Sequence, residues 1–253
     1  MSRTGLEHRW IPSENFNDRP AGAGLDMLVI HYTGMESFDE AVERMCTPGS
    51  QVSCHYGVDL DGSVVQMVAE ENRAWHAGAS LWRGVSDNNR RSIGIEIQNA
   101  GHEFGYHDFP ELQMGAVIEL CRDILSRHPI PAHNVVAHSD IAPGRKLDPG
   151  ERFNWQLLFE NEIGHWAPSS PIISGNFLQQ GDSGKPVEAL QTMFQVYGYG
   201  LEISGVFDET TANVVTAFQQ HWRQERVDGI ADISTITTLR ELIDTLPESP
   251  LTG

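Results

Sequence analysis

Two histidines, two carboxylates and a lysine in this chain are of types and spacings that could do chemistry together. His31 closes the apolar run "LDMLVIHYT" (25–33), and His138 closes "NVVAHSD" (134–140). Each reads as the end of a short buried strand, where a sheet presents side chains to a crevice. Asp148 follows His138 by ten residues, held in "KLDPG" by Pro149 and Gly150. Two histidines and one carboxylate are a catalytic zinc set that leaves a fourth position for water. The metal would bring that water's pKa to about 7. Spacing alone leaves a structural role open for all three. Glu96 lies in "SIGIEIQNAG" (92–101), where Ile93, Ile95 and Ile97 take one face of a strand and Glu96 and Gln98 the other. A carboxylate among apolar neighbours has a raised pKa and suits proton transfer. The competing reading is an exposed residue on a solvated strand face. Lys146 is one of only two lysines among 17 cationic side chains.

These residues need elements to position them. "ESFDEAVERMC" (36–46) predicts a helix with an acidic first turn. "SCHYGVDLDGSVVQMV" (53–68) predicts a hairpin with a two-residue turn at Asp61-Gly62. Residues 110–128 carry Met114, Val117, Ile118, Cys121, Ile124 and Leu125 at helical spacing. Strands and helices in this order predict an α/β fold, a sheet with helices packed on it. Prolines, serines and glycines cluster in "GHWAPSSPIISGN" (164–176), so a first domain over 1–167, a linker over 168–176 and a second domain over 177–253 are expected. Three helical patterns follow, lined by Val187, Leu190, Phe194 and Tyr197, then Val214, Val215, Phe218 and Trp222, then Ile236, Leu239, Leu242 and Ile243. They predict a small three-helix bundle near the lower size limit for independent folding.

Composition narrows the partners. The net charge is −18, with 24 acids against 13 Lys and Arg in residues 1–168 and 11 against 4 in 169–253. Neither part has a basic patch dense enough to neutralise phosphates, which argues against nucleic acid and anionic membrane surfaces. No stretch approaches the roughly 20 apolar residues of a membrane span. The first residues show no apolar leader, which favours the cytoplasm; a removed leader would favour the periplasm or outer membrane. Cys46, Cys54 and Cys121 read as buried thiols, a Cys46–Cys54 bridge being the alternative. His8, His102, His107, His128, His133, His165 and His221 read as surface residues; His55 and His76 remain with the two strand-end histidines.

Taken in order, "VIHYT", "SCHYGVDLDGSVVQMV", "RAWHAG", "SIGIEIQN" and "VVAHSDIAPGRKLDPGERFNW" resemble the zinc-dependent N-acetylmuramoyl-L-alanine amidases related to peptidoglycan recognition proteins and phage T7 lysozyme. The likeness runs from about residue 9 to 167. "GDSGKPVEALQTMFQVYGY", "GVFDETTANVVTAFQQHWR" and "VDGIAD" resemble peptidoglycan-binding domain type 1. The resemblance implies one zinc ion on His31, His138 and Asp148, where some relatives carry cysteine in place of the aspartate. It implies Glu96 as the base and Lys146 as the stabiliser of a developing oxyanion. It implies a mixed central sheet flanked by helices, and it makes His76 a candidate substrate contact, with a structural role as the alternative. His55, Trp75 and Asn99 are further candidate substrate contacts, Asn99 reading also as a strand-end turn residue. The expected substrate is the lactyl-to-L-alanine amide of N-acetylmuramic acid, or of its 1,6-anhydro form. Recognition proteins of the same fold commonly lack a zinc ligand or the lysine, so a non-catalytic muropeptide receptor is the alternative. A third reading makes the C-terminal part a module for contact with another protein.

Overall fold

The apolar run that ends at His31 becomes a strand buried on both faces in the computed structural model, which describes residues 4–246. In chain order the strands are β1 (Arg9–Trp10), β2 (Phe16–Asp18), β3 (Met27–Tyr32), β4 (Tyr56–Val58), β5 (Val64–Gln66), β6 (Asn72–Ala74), β7 (Ser92–Ile97) and β8 (Val135–Ala137). The helices are α1 (Phe38–Cys46), α2 (Gly101–Phe104), α3 (Glu111–Arg127), α4 (His138–Ile141), α5 (Trp155–Glu160), α6 (Lys185–Tyr197), α7 (Glu209–Trp222) and α8 (Ile233–Asp244). Six strands form one mixed sheet in the order β1-β5-β4-β7-β3-β8, parallel except for the β4–β5 hairpin. The remaining two, β2 and β6, form a separate antiparallel pair. This is the expected α/β arrangement with a helical C-terminal region.

Side-chain alternation divides the sheet cleanly. Leu28, Ile30, Ile93, Ile95, Ile97, Val135 and Ala137 face α3, packing on Met114, Val117, Cys121 and Ile124. Met27, Val29 and Val136 face the other way. They join one continuous apolar cluster with Trp82, Val187, Phe194, Tyr197, Tyr199, Phe218 and Trp222. Farther along the same sheet, α1 packs Phe38, Ala41, Val42 and Met45 on Val65 and Met67. Helix α1 starts where Ser37 accepts the Glu40 N–H, with Asp39 and Glu40 in its positive first turn.

Several expectations change on folding. The hairpin turn has three residues, not two: the Asp59 N–H donates to the Ser63 carbonyl at 2.9 Å, and Gly62 takes φ +85° between them. The Glu96 face of β7 is largely covered, with Glu96 itself half-buried; Gly94 on that face lies against the His76 ring and Cys54, where an added Cβ would come within 2.8 Å of both. His221 is buried rather than exposed. The three cysteines are free thiols. The C-terminal helices carry their aromatic stripes inward as expected, but the core they build is shared with the sheet. Residues 168–176 contain no helix or strand, and Ser170 is hydrogen-bonded to Thr238 and Ser234 of α8. No helix among the described residues is long and apolar enough to cross a membrane.

Because one apolar cluster joins sheet and C-terminal helices, the chain should unfold in a single calorimetric transition. Trp82→Ala, emptying the middle of that cluster, should cost about 3–5 kcal/mol. Two resolved transitions, with only one moved by the substitution, would contradict the shared core. Glu70 supplies an acid-stability test. Burial pushes its carboxyl up, but hydrogen bonds from Arg127, His128 and Tyr56 outweigh this and lower it from 4.5 to about 2. Its contribution is therefore present above the unfolded value near 4.5 and disappears as pH falls toward 2. Denaturant titrations of Glu70→Gln should show a flatter stability curve across that window than the unsubstituted chain.

Candidate metal centre and groove

The strand register sets three of the candidate residues side by side. In the β3–β7 ladder His31 pairs with Glu96, and in the β3–β8 ladder Ile30 pairs with Ala137, the residue before His138. His138, His31 and Glu96 thus stand abreast where three parallel strands end, on the face that also carries Met27, Val29 and Val136. Gly57 of β4 is next in the row, and a Cβ there would come 2.9 Å from the Phe38 ring of α1. Asp148 reaches the row from a later loop. The Ser139 N–H donates to the Asp148 carbonyl at 3.0 Å, tying the start of α4 to that loop. Beyond it the Tyr106 hydroxyl donates to the Pro149 carbonyl and accepts from the Arg152 N–H, at 2.7 and 2.8 Å.

Three donor atoms converge. His31 Nδ1 and His138 Nδ1 are 2.9 Å apart, and each lies 3.0 Å from Asp148 Oδ2. All three side chains are buried, and among the described residues no other group of His, Cys, Asp and Glu side chains meets the same condition for holding a metal. The hydrogen bonds behind the two rings assign their tautomers. His138 Nε2 lies 3.1 Å from the Ala77 carbonyl, which can only accept, so the proton is on Nε2 and Nδ1 keeps its lone pair. For His31 a relay does the same. The Ser92 hydroxyl donates to the Asn88 carbonyl at 2.6 Å and accepts from His76 Nε2 at 3.2 Å. His76 Nδ1 is then the acceptor for His31 Nε2–H at 3.0 Å, which leaves His31 Nδ1 bare. Burial, and next the His138 ring, lowers His31 to about 4, so its imidazole is neutral at pH 7. Two ring nitrogens with free lone pairs and one carboxylate oxygen, the outer nitrogens being hydrogen-bonded, suit a divalent metal.

Two of the donors, His138 and Asp148, line a groove of about 570 Å³ whose walls include Tyr32, Arg44, Met45, His102, Arg145 and Lys146. Glu96 lies in its lining, and its Oε2 is buried without a hydrogen-bond partner among the described residues. Burial first, then the Asp148 charge, pushes the Glu96 carboxyl well above its ordinary range, with Lys146 opposing. Lys146 also lines the groove; its backbone N–H is held by the Ala142 carbonyl at 3.1 Å.

The weaker sequence candidates separate. His76 lines the groove and backs His31. His55 is fully buried away from it, accepting the Gly94 N–H at 3.0 Å. Asn99 is also fully buried, donating to the His107 carbonyl and accepting from the Gly101 N–H. Trp75 points its indole N–H at Asn17. None of these three lines the groove. Sequence reading passed over Ser92, Asn89, Tyr106 and Arg145. Asn89 Oδ1 accepts from the His76 and Ala77 N–H groups and so shapes the "WHAG" turn. Arg145 donates to the Ala77 carbonyl that His138 also uses. They are polar residues with no periodicity or motif chemistry of their own, so only contact identifies them.

Known proteins resemble this chain along most of its length. A family model described as N-acetylmuramoyl-L-alanine amidase matches residues 21–151, and one for peptidoglycan binding domains matches residues 183–239. The N-acetylmuramoyl-L-alanine amidase AmiD of Escherichia coli is 36% identical over 234 residues, spanning 87% of this chain and 83% of AmiD. A solved complex of E. coli AmiD with the substrate anhydro-N-acetylmuramic acid-L-Ala-D-gamma-Glu-L-Lys superposes with a TM-score of 0.74 at 32% identity, covering 92% of this chain and 98% of that one. AmpDh3 from Pseudomonas aeruginosa in complex with anhydromuramic pentapeptide gives a TM-score of 0.75 at 32% identity, covering 90% and 95%. With more than half of its length inside the family model and a relative of this identity along most of its length, the chain belongs to the N-acetylmuramoyl-L-alanine amidase family.

Proposed function

We propose that the chain is a zinc amidase that hydrolyses the bond between the lactyl carbonyl of an N-acetylmuramic acid, or its 1,6-anhydro form, and the L-alanine of the stem peptide. The observation that carries this is the convergence of His31 Nδ1, His138 Nδ1 and Asp148 Oδ2 beside a carboxylate with one unpartnered oxygen, Glu96. His31, His138 and Asp148 would hold the zinc, which when bound supplies a Lewis acid and lowers the pKa of a bound water to about 7.

The chain's own residues supply the rest. The groove seats the sugar and peptide on either side of the scissile amide and limits bulk water around it. Glu96, adjacent to His31 in the row, takes a proton from the attacking water and returns it to the alanine nitrogen as the C–N bond breaks. Its raised pKa suits both halves of that transfer. Lys146 offers a compact, mobile positive charge to the carbonyl oxygen as negative charge develops there, where the planar fork of arginine would spread its charge over two directions. The products are a free lactyl carboxylate and a free peptide amine. Both named structural neighbours were solved with anhydromuramyl peptides, which favours anhydro fragments as substrates here as well. A digest comparing a 1,6-anhydro-muropeptide with intact sacculi decides between fragment and polymer; release of peptide from neither would leave only a recognition protein.

Lys146→Ala should keep stoichiometric zinc but lose about 10²–10³-fold in kcat, whereas His138→Ala should lose both metal and turnover. Metal analysis alongside steady-state assays separates the two, and a fully active Lys146→Ala would refute the lysine's role. Ser92→Ala removes the acceptor that orients His76 and, through it, His31. Zinc affinity should fall about 10–100-fold in a chelator competition, and unchanged affinity would show that the relay does not set the tautomer.

A further inference from the structure

The face of the sheet that carries the metal donors is covered by the C-terminal helices, and one buried carboxylate joins the two. Asp140 sits in α4, two residues after His138, and is fully buried. Its Oδ2 accepts the Ala137 N–H at 2.8 Å, closing the corner at which β8 turns into α4 and on which His138 stands. The other two donors come from the C-terminal region. The Tyr199 hydroxyl, just after α6, donates to Oδ1 at 2.6 Å. His221 Nδ1 of α7 donates to Oδ2 at 2.7 Å. Both donors are themselves held rigidly. The His221 ring stacks on Trp155 and Trp222 at centroid distances of 3.7 and 3.5 Å, and the Tyr199 ring packs edge-on against Trp82 and Phe194. The turn after α4 is pinned as well, since a Cβ on Gly144 would collide with Asn213 of α7.

We propose that Asp140 is a positioning residue through which the C-terminal helices hold the metal ligand His138 in place. The helices are then a working part of the metal site rather than a separable appendage. A carboxylate inside a protein must keep its donors, because an unpaired buried acceptor is costly. Loss of Tyr199 or His221 therefore does not leave Asp140 where it was; the carboxylate turns toward other donors and loosens the Ala137–His138 corner. His138 Nδ1 must stay within a few tenths of an ångström of its place to close the donor set with His31 and Asp148. The inference rests on reading His31, His138 and Asp148 as the zinc ligands.

The test measures zinc affinity of the full chain by competition with a chromophoric chelator, together with the visible spectrum of the cobalt-substituted protein and the thermal midpoint. Tyr199→Phe, which removes a single hydroxyl and keeps the ring, should weaken zinc binding by about 10–100-fold, the usual effect of an outer partner of a ligand, and should shift the cobalt bands. Asp140→Asn should do the same or more; if it does not fold, Tyr199→Phe carries the test alone. Leu242→Ala, buried in α8 away from Asp140, should lower the thermal midpoint while leaving zinc affinity and the cobalt bands as in the unsubstituted chain. Substituted chains that hold zinc as tightly as the unsubstituted one, with unmoved bands, would overturn the coupling alone. Equal weakening in Leu242→Ala would reduce it to general destabilisation and overturn it too. An unsubstituted chain that takes up no zinc would instead remove the ligand reading on which it rests.

Discussion

The parallel alignment of β3, β7 and β8 is the constraint on which everything else depends. A parallel ladder fixes register residue by residue, because a slip of one position would turn every buried side chain to the opposite face. Met27 and Val29 against Leu28 and Ile30 leave no freedom for that slip, since both faces of β3 are covered. With the register fixed, His31, Glu96 and His138 must arrive together at the strand ends, on one face and in one row. A site built in this way inherits the rigidity of the core beneath it, and only Asp148 and Lys146 have to be delivered by a loop.

That loop is held at several points rather than by its Asp-Pro-Gly sequence alone. The Ser139 N–H fixes the Asp148 carbonyl, Tyr106 bridges Pro149 and Arg152, and the Ala142 carbonyl holds the Arg145 and Lys146 N–H groups. Behind the donors, the Ala77 carbonyl and the Asn88–Ser92–His76 relay keep both imidazole Nδ1 lone pairs pointing at one place. Burial supplies the electrostatics. It keeps His31 neutral and raises Glu96, so a cluster that in water would compete for protons instead offers lone pairs on one side and a proton carrier on the other.

The C-terminal helices take a different part from the one their small size suggests. Their apolar residues pack on one another and also complete the apolar cover over Met27, Val29, Val136 and Trp82. Deleting them would expose that face to water. The same contact surface brings Tyr199 and His221 to Asp140, at the corner of the sheet that carries the candidate metal ligand His138.

The amino-acid order by itself determined the strands that deliver His31 and His138 and the amphipathic helices, and it named the candidates for zinc ligands, base and lysine. These are legible because periodicity and strand-end chemistry are local, and because motif order preserves what a family requires. It misread residues whose role is conferred by a distant neighbour. His55 and Asn99 carry polar chemistry but are consumed by backbone partners in the interior. His221 lies on a helix face that looks solvated until Asp140 and Trp155 are brought against it. Asp61-Gly62 has the composition of a two-residue turn, yet the strand ladder closes one residue wider, with Gly62 in the left-handed region. Tertiary structure alone decided the tautomers, the covered second face of the sheet and the contact of the C-terminal helices with Asp140, beside His138. Each depends on a hydrogen bond or packing contact between segments far apart in the chain, and no local pattern encodes which partner a buried polar group will find.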